Sequence, residues 1–147
     1  MIRSVQEKDL DELVELCGLH AAYEQSSYDP SGKKERLRDL LFNDRPNLYA
    51  YVVERDNRLL GYTTVTLQTS TWDANHYLYL DCLFMREEAR GMGIGEALMH
   101  KVKEEAKRLG CDLIQWQTPE FNVRAIKFYH RIGGQSLKKE RFFWSVD

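Results

Sequence analysis

The chain has 147 residues, 43% of them hydrophobic and 30% charged, the balance of one globular domain rather than a disordered segment. Its 21 Lys and Arg against 23 Asp and Glu leave a net charge of −2, which excludes a general basic footprint for nucleic acid and a polybasic membrane anchor. No apolar stretch reaches membrane-span length and the first residues carry no signal core, so a single cytoplasmic domain over 1–147 is expected, with neither nucleic acid nor membrane as partner.

The opening residues, Met1 to Val5, read as a short strand. A helix follows, with Leu10, Leu13, Val14, Cys17 and Ala21 recurring at three- and four-residue steps and Asp9 in the N-cap position. Turn residues Ser26 to Gly32 lead to a charged helix from about Lys33 to Phe42, with Leu37, Leu40 and Leu41 as its apolar stripe. The period then changes. Leu48 to Glu54 and Leu59 to Gln68 are β-type runs joined by Asp56-Asn57, and Tyr77 to Met85 is a third strand. The segment Gly93 to Leu109 is the clearest helix, its apolar face formed by Ile94, Ala97, Leu98, Val102, Ala106 and Leu109. Asp112 to Gln117 reads as strand, Asn122 to Arg131 as helix, and Arg141 to Val146 as a last strand after Gly133-Gly134. This order predicts a mixed sheet with helices on its faces.

The three cysteines, Cys17, Cys82 and Cys111, are odd in number and far apart, which speaks against a disulfide framework. His20, His76, His100 and His130 show no metal-ligand spacing, so no metal is expected. The segment that carries chemistry is Arg90-Gly91-Met92-Gly93-Ile94-Gly95, between a strand and a helix start. Alternate glycines let backbone approach a ligand, and the unpaired N–H groups of the helix start favour phosphate. The loop lacks the Lys-Ser/Thr of a P-loop, and Glu96 occupies the place of the third dinucleotide glycine. A plain connecting turn remains the alternative reading.

Arg90-x-x-Gly93-x-Gly95, with the approach Leu83 to Gly91, resembles the acyl-CoA pyrophosphate motif of the GNAT superfamily of N-acetyltransferases. Asn122-x-x-Ala125-x-x-Phe128-Tyr129 followed by Gly133-Gly134 is similar to a second motif of that family, and the element order matches along the chain. The resemblance implies an α/β fold of mixed α+β type: a mostly antiparallel, splayed mixed sheet with helices on both faces. It implies acetyl-CoA as co-substrate, with the backbone of Leu83, Phe84 and Met85 on the pantetheine arm. By the same likeness Arg90 and the backbone of Gly91, Met92, Gly93, Ile94, Gly95 and Glu96 face the pyrophosphate. Asn122 and Ala125 face the cofactor arm, and Tyr129 is the general acid beside the sulfur. A homodimer, with Arg141 to Trp144 as an interface strand, is also implied.

An alkyl amine near pKa ~10 must lose a proton before attacking the thioester, and a carboxylate is the usual acceptor. Asp81, inside the otherwise apolar and aromatic run Tyr77 to Leu83, is the candidate; an Asp paired with a basic neighbour or at a solvated strand end is the alternative. Asn122 also fits a helix N-cap, and Tyr129 also fits an apolar face with Ala125, Ile126 and Ile132. Cys82 as an acyl acceptor is less favoured than Cys82 as core. The nearest likeness within the family is the spermidine/spermine N-acetyltransferase group. Tyr23-Glu24 and Tyr77-Leu78-Tyr79-Leu80-Asp81 resemble its substrate-contacting segments, with Asp81 shorter than that group's Glu. Tyr23, Glu24, Asp81, Gln117 and Glu120 are thus expected around a small cationic amine, either polyamine-like or an amino sugar, with side-chain amines and protein N-termini as alternatives. A non-catalytic acyl-CoA-binding module and a nucleotide-binding protein are the competing classes.

Overall fold

Neighbouring residues in the central strands go to opposite faces, and this alternation builds the larger part of the molecule. The computed structural model describes all residues, 1–147, as two compact units, 1–117 and 118–147. In the first unit, β1 (Ile2–Ser4), β2 (Leu48–Arg55), β3 (Arg58–Ser70), β4 (Asn75–Met85) and β5 (Ile114–Gln115) form one sheet in chain order. The first three pairings are antiparallel and β4–β5 is parallel. Asp56 and Asn57, both with φ near +60° (52° and 60°), make the tight turn from β2 to β3.

Val52, Leu59, Tyr62 and Phe84 pack with Leu10, Leu13 and Leu16 of α1 (Leu10–Tyr23) and Leu41 of α2 (Lys33–Phe42). Their chain neighbours Val53, Leu60 and Met85 pack on the other face with Ala89 and with Leu98 of α3 (Ile94–Arg108). Helices therefore cover both faces, as expected for strands that alternate with period two. Details of the helix faces differ from the sequence reading. Leu16, absent from the expected stripe of α1, is fully buried, whereas Leu40 of α2 and Ala97 of α3 are exposed. Asp9 holds the N-cap position without capping α1. Its carboxylate instead accepts from both Nη groups of Arg3 (2.7 and 2.9 Å) and from the Gln6 N–H (2.7 Å).

Gly61 is paired with Met85 at the end of β4, and the approach is too close for a side chain. A Cβ there overlaps the Met85 sulfur and stands 2.6 Å from the Phe84 carbonyl oxygen. Gly61→Ala is expected to destabilise the protein by about 1–3 kcal/mol, since neither backbone nor packed thioether yields freely. Urea unfolding followed by circular dichroism measures it; an unchanged midpoint refutes it.

In the second unit, α4 (Val123–Arg131) is capped by Asn122, whose Oδ1 accepts from the Ala125 N–H at 3.3 Å. Gly133, at φ 105°, ends the helix, and the Gly134 N–H donates to the Tyr129 carbonyl at 2.8 Å. Residues 135–147 have no regular secondary structure, so the strand expected over Arg141 to Val146 is not formed. A strand exists only as a pair, and the second unit contains no other strand for it to join. Phe142, Phe143 and Trp144 stand 86–94% exposed. No helix is long and apolar enough to cross a membrane.

Candidate active site

The register of β3 against β4 shifts at one point. Thr64 pairs with Cys82 and Val65 with Leu80, which leaves Asp81 as an extra residue without a cross-strand partner. This is a β-bulge, a device that re-aims a side chain and recurs beside active sites. Asp81 is exposed, so no burial cost attends its carboxylate. The bulge accounts for an Asp in this strand: the residue that leaves the ladder also leaves the apolar alternation.

On its other side β4 meets β5 only at Leu78 and Tyr79. From Leu80 to Met85 that edge has no strand neighbour, so outward-facing backbone groups of this stretch have no strand partner and can meet an extended ligand. The strand runs through a short 3₁₀ turn, Glu87–Ala89, into the glycine loop. Gly91 (φ 78°) and Gly93 (φ 77°) occupy the left-handed region that side chains disfavour, and a Cβ at either would meet nothing within 4 Å. Gly93 is the N-cap of α3 and has no side chain to occupy the first-turn N–H groups. An open sheet edge thus leads into the positive end of a 15-residue helix.

Arg90 turns back over this junction. Its Nε donates to the Met85 carbonyl at 3.0 Å, and its guanidinium lies 4.5 Å from the Tyr23 ring centroid and 5.4 Å from that of Phe84. The rings of Tyr23 and Phe84 meet edge to face at 6.2 Å. Expected cofactor residues Arg90 and Phe84 are thereby joined to the expected substrate residue Tyr23, the last residue of α1. Glu24 caps the C-terminus of α1 and holds His20 through Oε2 at 2.7 Å. Gln117 donates to the Tyr79 hydroxyl at 2.8 Å. Asn122, Ala125, Tyr129 and Glu120 belong to the second unit, where Asn122 and Ala125 form the cap of α4, Tyr129 lies half-buried in that helix with its ring 5.3 Å from Phe128, and Glu120 is exposed.

Sequence reading missed the group formed by Tyr62 with Cys17 and Cys82, and the contact of Tyr62 with His20. Burial drives the Tyr62 hydroxyl well above the phenol range, with Cys82 and Cys17 adding to the shift. Burial, then the Asp81 charge, pushes the Cys82 thiol up to about 12, and Cys17 is raised chiefly by burial with a contribution from Asp81. A thiol held that high is a poor nucleophile at neutral pH, which removes the reason to consider Cys82 as an acyl acceptor. No group of three or more His, Cys, Asp or Glu side chains is arranged to hold a metal. A cleft of about 360 Å³ lies near the β3–β4 turn, lined by residues including Asp73, His76 and Asp112; none of the expected site residues lines it.

The family described as Acetyltransferase (GNAT) matches residues 13–134. The chain belongs to the GNAT acetyltransferase family. Thialysine N-epsilon-acetyltransferase of Bos taurus is 30% identical over 145 residues, covering 93% of this chain and 85% of the relative. A solved structure titled a transcriptional regulator from Bacillus halodurans superposes with a TM-score of 0.84 at 23% identity, covering 98% of this chain and 99% of its own. An aminoglycoside acetyltransferase from a soil metagenomic sample reaches 0.82 at 20% identity, covering 100% and 96%. Both structures share the mixed, mostly antiparallel fold. GNAT acetyltransferases use acetyl-CoA as co-substrate, so this chain is an acetyl-CoA-dependent acetyltransferase, and the open edge of β4 and the glycine loop are features suited to such a ligand.

Proposed function

We propose that the chain, working as one domain, transfers the acetyl group of acetyl-CoA to a primary amine of a small cationic substrate by direct attack in a ternary complex. The observation that carries this reading is the bulge at Asp81, which sets an exposed carboxylate on the strand whose open edge leads into the glycine loop. Asp81 accepts the proton that the ammonium must lose, and the free amine attacks the thioester carbonyl. Backbone N–H groups at the free edge of Leu83 to Met85 stabilise the oxyanion. The tetrahedral intermediate loses its second amine proton to solvent and collapses as the C–S bond breaks; Tyr129 protonates the departing CoA thiolate and regains its proton from solvent.

Gly91 to Glu96 and Arg90 hold the pyrophosphate, and Asn122 and Ala125 the cofactor arm. Tyr23, Glu24, Gln117 and Glu120 receive the cation, since carboxylates and an aromatic face attract ammonium groups. The name of the bovine relative supports an amine at the end of a short aliphatic side chain. Exposed Phe142, Phe143 and Trp144 support a homodimer formed through the C-terminal segment.

The test is acetyl-CoA with thialysine, ornithine, spermidine, sisomicin or a peptide, with free CoA thiol followed against a no-protein control. CoA release dependent on one of the small cationic amines is expected. Release with the peptide alone, or none with any amine while acetyl-CoA binds, overturns the proposal.

A further inference from the structure

His20 of α1 joins Glu24 to Tyr62 and Phe84. Its Nε2 lies 2.7 Å from Glu24 Oε2, its Nδ1 lies 2.9 Å from the Tyr62 hydroxyl, and its ring stacks on Phe84 with centroids 5.2 Å apart and planes at 21°. Glu24 only accepts, so Nε2 carries the proton; in a neutral ring Nδ1 then accepts from the Tyr62 O–H. Tyr62 is 1% exposed and its phenol is kept protonated by burial, so its donor is permanent. Three restraints from three elements fix one imidazole, and that imidazole fixes one carboxylate.

The carboxylate needs fixing. Glu24 follows the last residue of α1, and Gln25 after it has φ 59°, so the chain leaves the helix there. A glutamate at such an end samples many rotamers, and a ligand that requires one of them loses affinity accordingly. An imidazole N–H donor at 2.7 Å holds the carboxylate in one orientation at the helix end.

We propose that His20 is a positioning residue for substrate recognition: it presents the Glu24 carboxylate to the cationic amine, with its own ring set by Tyr62 and Phe84. This rests on the reading of Glu24 as a substrate contact. It goes beyond that reading in assigning the orientation of Glu24 to a histidine that need not touch the substrate.

The test compares His20→Ala, His20→Gln, Tyr62→Phe and Glu24→Gln with wild type. Affinities for thialysine, spermidine and sisomicin are read as KM and, independently of turnover, as Kd by calorimetry; folding is checked by thermal unfolding. His20→Ala is expected to weaken amine affinity about 5–10-fold, with kcat and the acetyl-CoA KM within about twofold. His20→Gln, which keeps an N–H donor toward Glu24, restores most of the loss. Tyr62→Phe moves the same constant in the same direction by a smaller factor. Unchanged amine affinity in His20→Ala with a clear loss in Glu24→Gln overturns the role of His20 alone. Unchanged affinity in Glu24→Gln, or no amine binding by wild type, overturns the reading of Glu24 and this proposal with it. If His20→Ala unfolds, a wild-type amine affinity in Tyr62→Phe together with no rescue in His20→Gln is the overturning result.

Discussion

Asp81→Asn lowers kcat/KM for the amine by roughly 10²–10⁴-fold, the range set by loss of a positioned general base. The substitution keeps shape and hydrogen-bonding capacity, and Asp81 is an exposed residue outside the β3–β4 ladder, so the fold has little to lose. What disappears is the basic oxygen. An alkylammonium near pKa ~10 is almost wholly protonated at pH 7, and without a base only the small free-amine fraction reacts. The variant's rate should therefore climb with pH toward that of wild type as solvent supplies the free amine. Acetyl-CoA binding should not change, because the cofactor is assigned to backbone groups and the glycine loop. Steady-state kinetics from pH 6 to 10 with both substrates varied make the comparison. A wild-type kcat/KM at pH 7 removes Asp81 from the chemistry. A pH-independent deficit in KM alone reduces it to a binding carboxylate.

Features that depend on one stretch of chain were legible in the sequence. Gly91 and Gly93 announce a loop because φ near +78° strongly favours glycine, and α3 announces itself by its apolar face. The fold class followed from the order of such stretches. Features that depend on two distant segments were not legible. The bulge at Asp81 is a relation between the registers of two strands, and no property of Tyr77 to Leu83 alone places an extra residue there. His20 reads as one residue of an amphipathic helix until Tyr62, 42 positions later, is seen to hold it. The free edge of β4 from Leu80 onward is set by how short β5 is, and the sequence suggested a longer strand over Asp112 to Gln117. The aromatic run Arg141 to Trp144 has strand propensity, but propensity supplies no partner edge, and the segment stays irregular within its unit.

Tyr129→Phe tests the other half of the proposed proton traffic, and its expected effect is smaller, about 10²-fold in kcat, for a reason in the leaving group. A thiol ionises near pKa ~8.5, so a thiolate departs without full protonation, and a general acid lowers the barrier only by sharing the proton as the C–S bond breaks. The benefit holds while the product thiol retains that proton. The deficit of the variant should be greatest below pH ~8 and shrink above the thiol's pKa, where the thiolate is the stable product in any case. This trend is distinct from that of Asp81→Asn, whose rate recovers only as the amine itself deprotonates. Tyr129 is half-buried in α4, and its main chain, through its carbonyl, anchors the Gly134 N–H that closes the helix. Phenylalanine preserves both the ring and that backbone bond, and thermal unfolding measured alongside separates any loss of stability from the fall in kcat. Single-turnover rates of acetyl transfer across pH, with the KM of each substrate measured alongside, separate the outcomes. A fall confined to KM assigns Tyr129 to binding, and an unchanged kcat at pH 7 means the thiolate leaves unassisted by this residue.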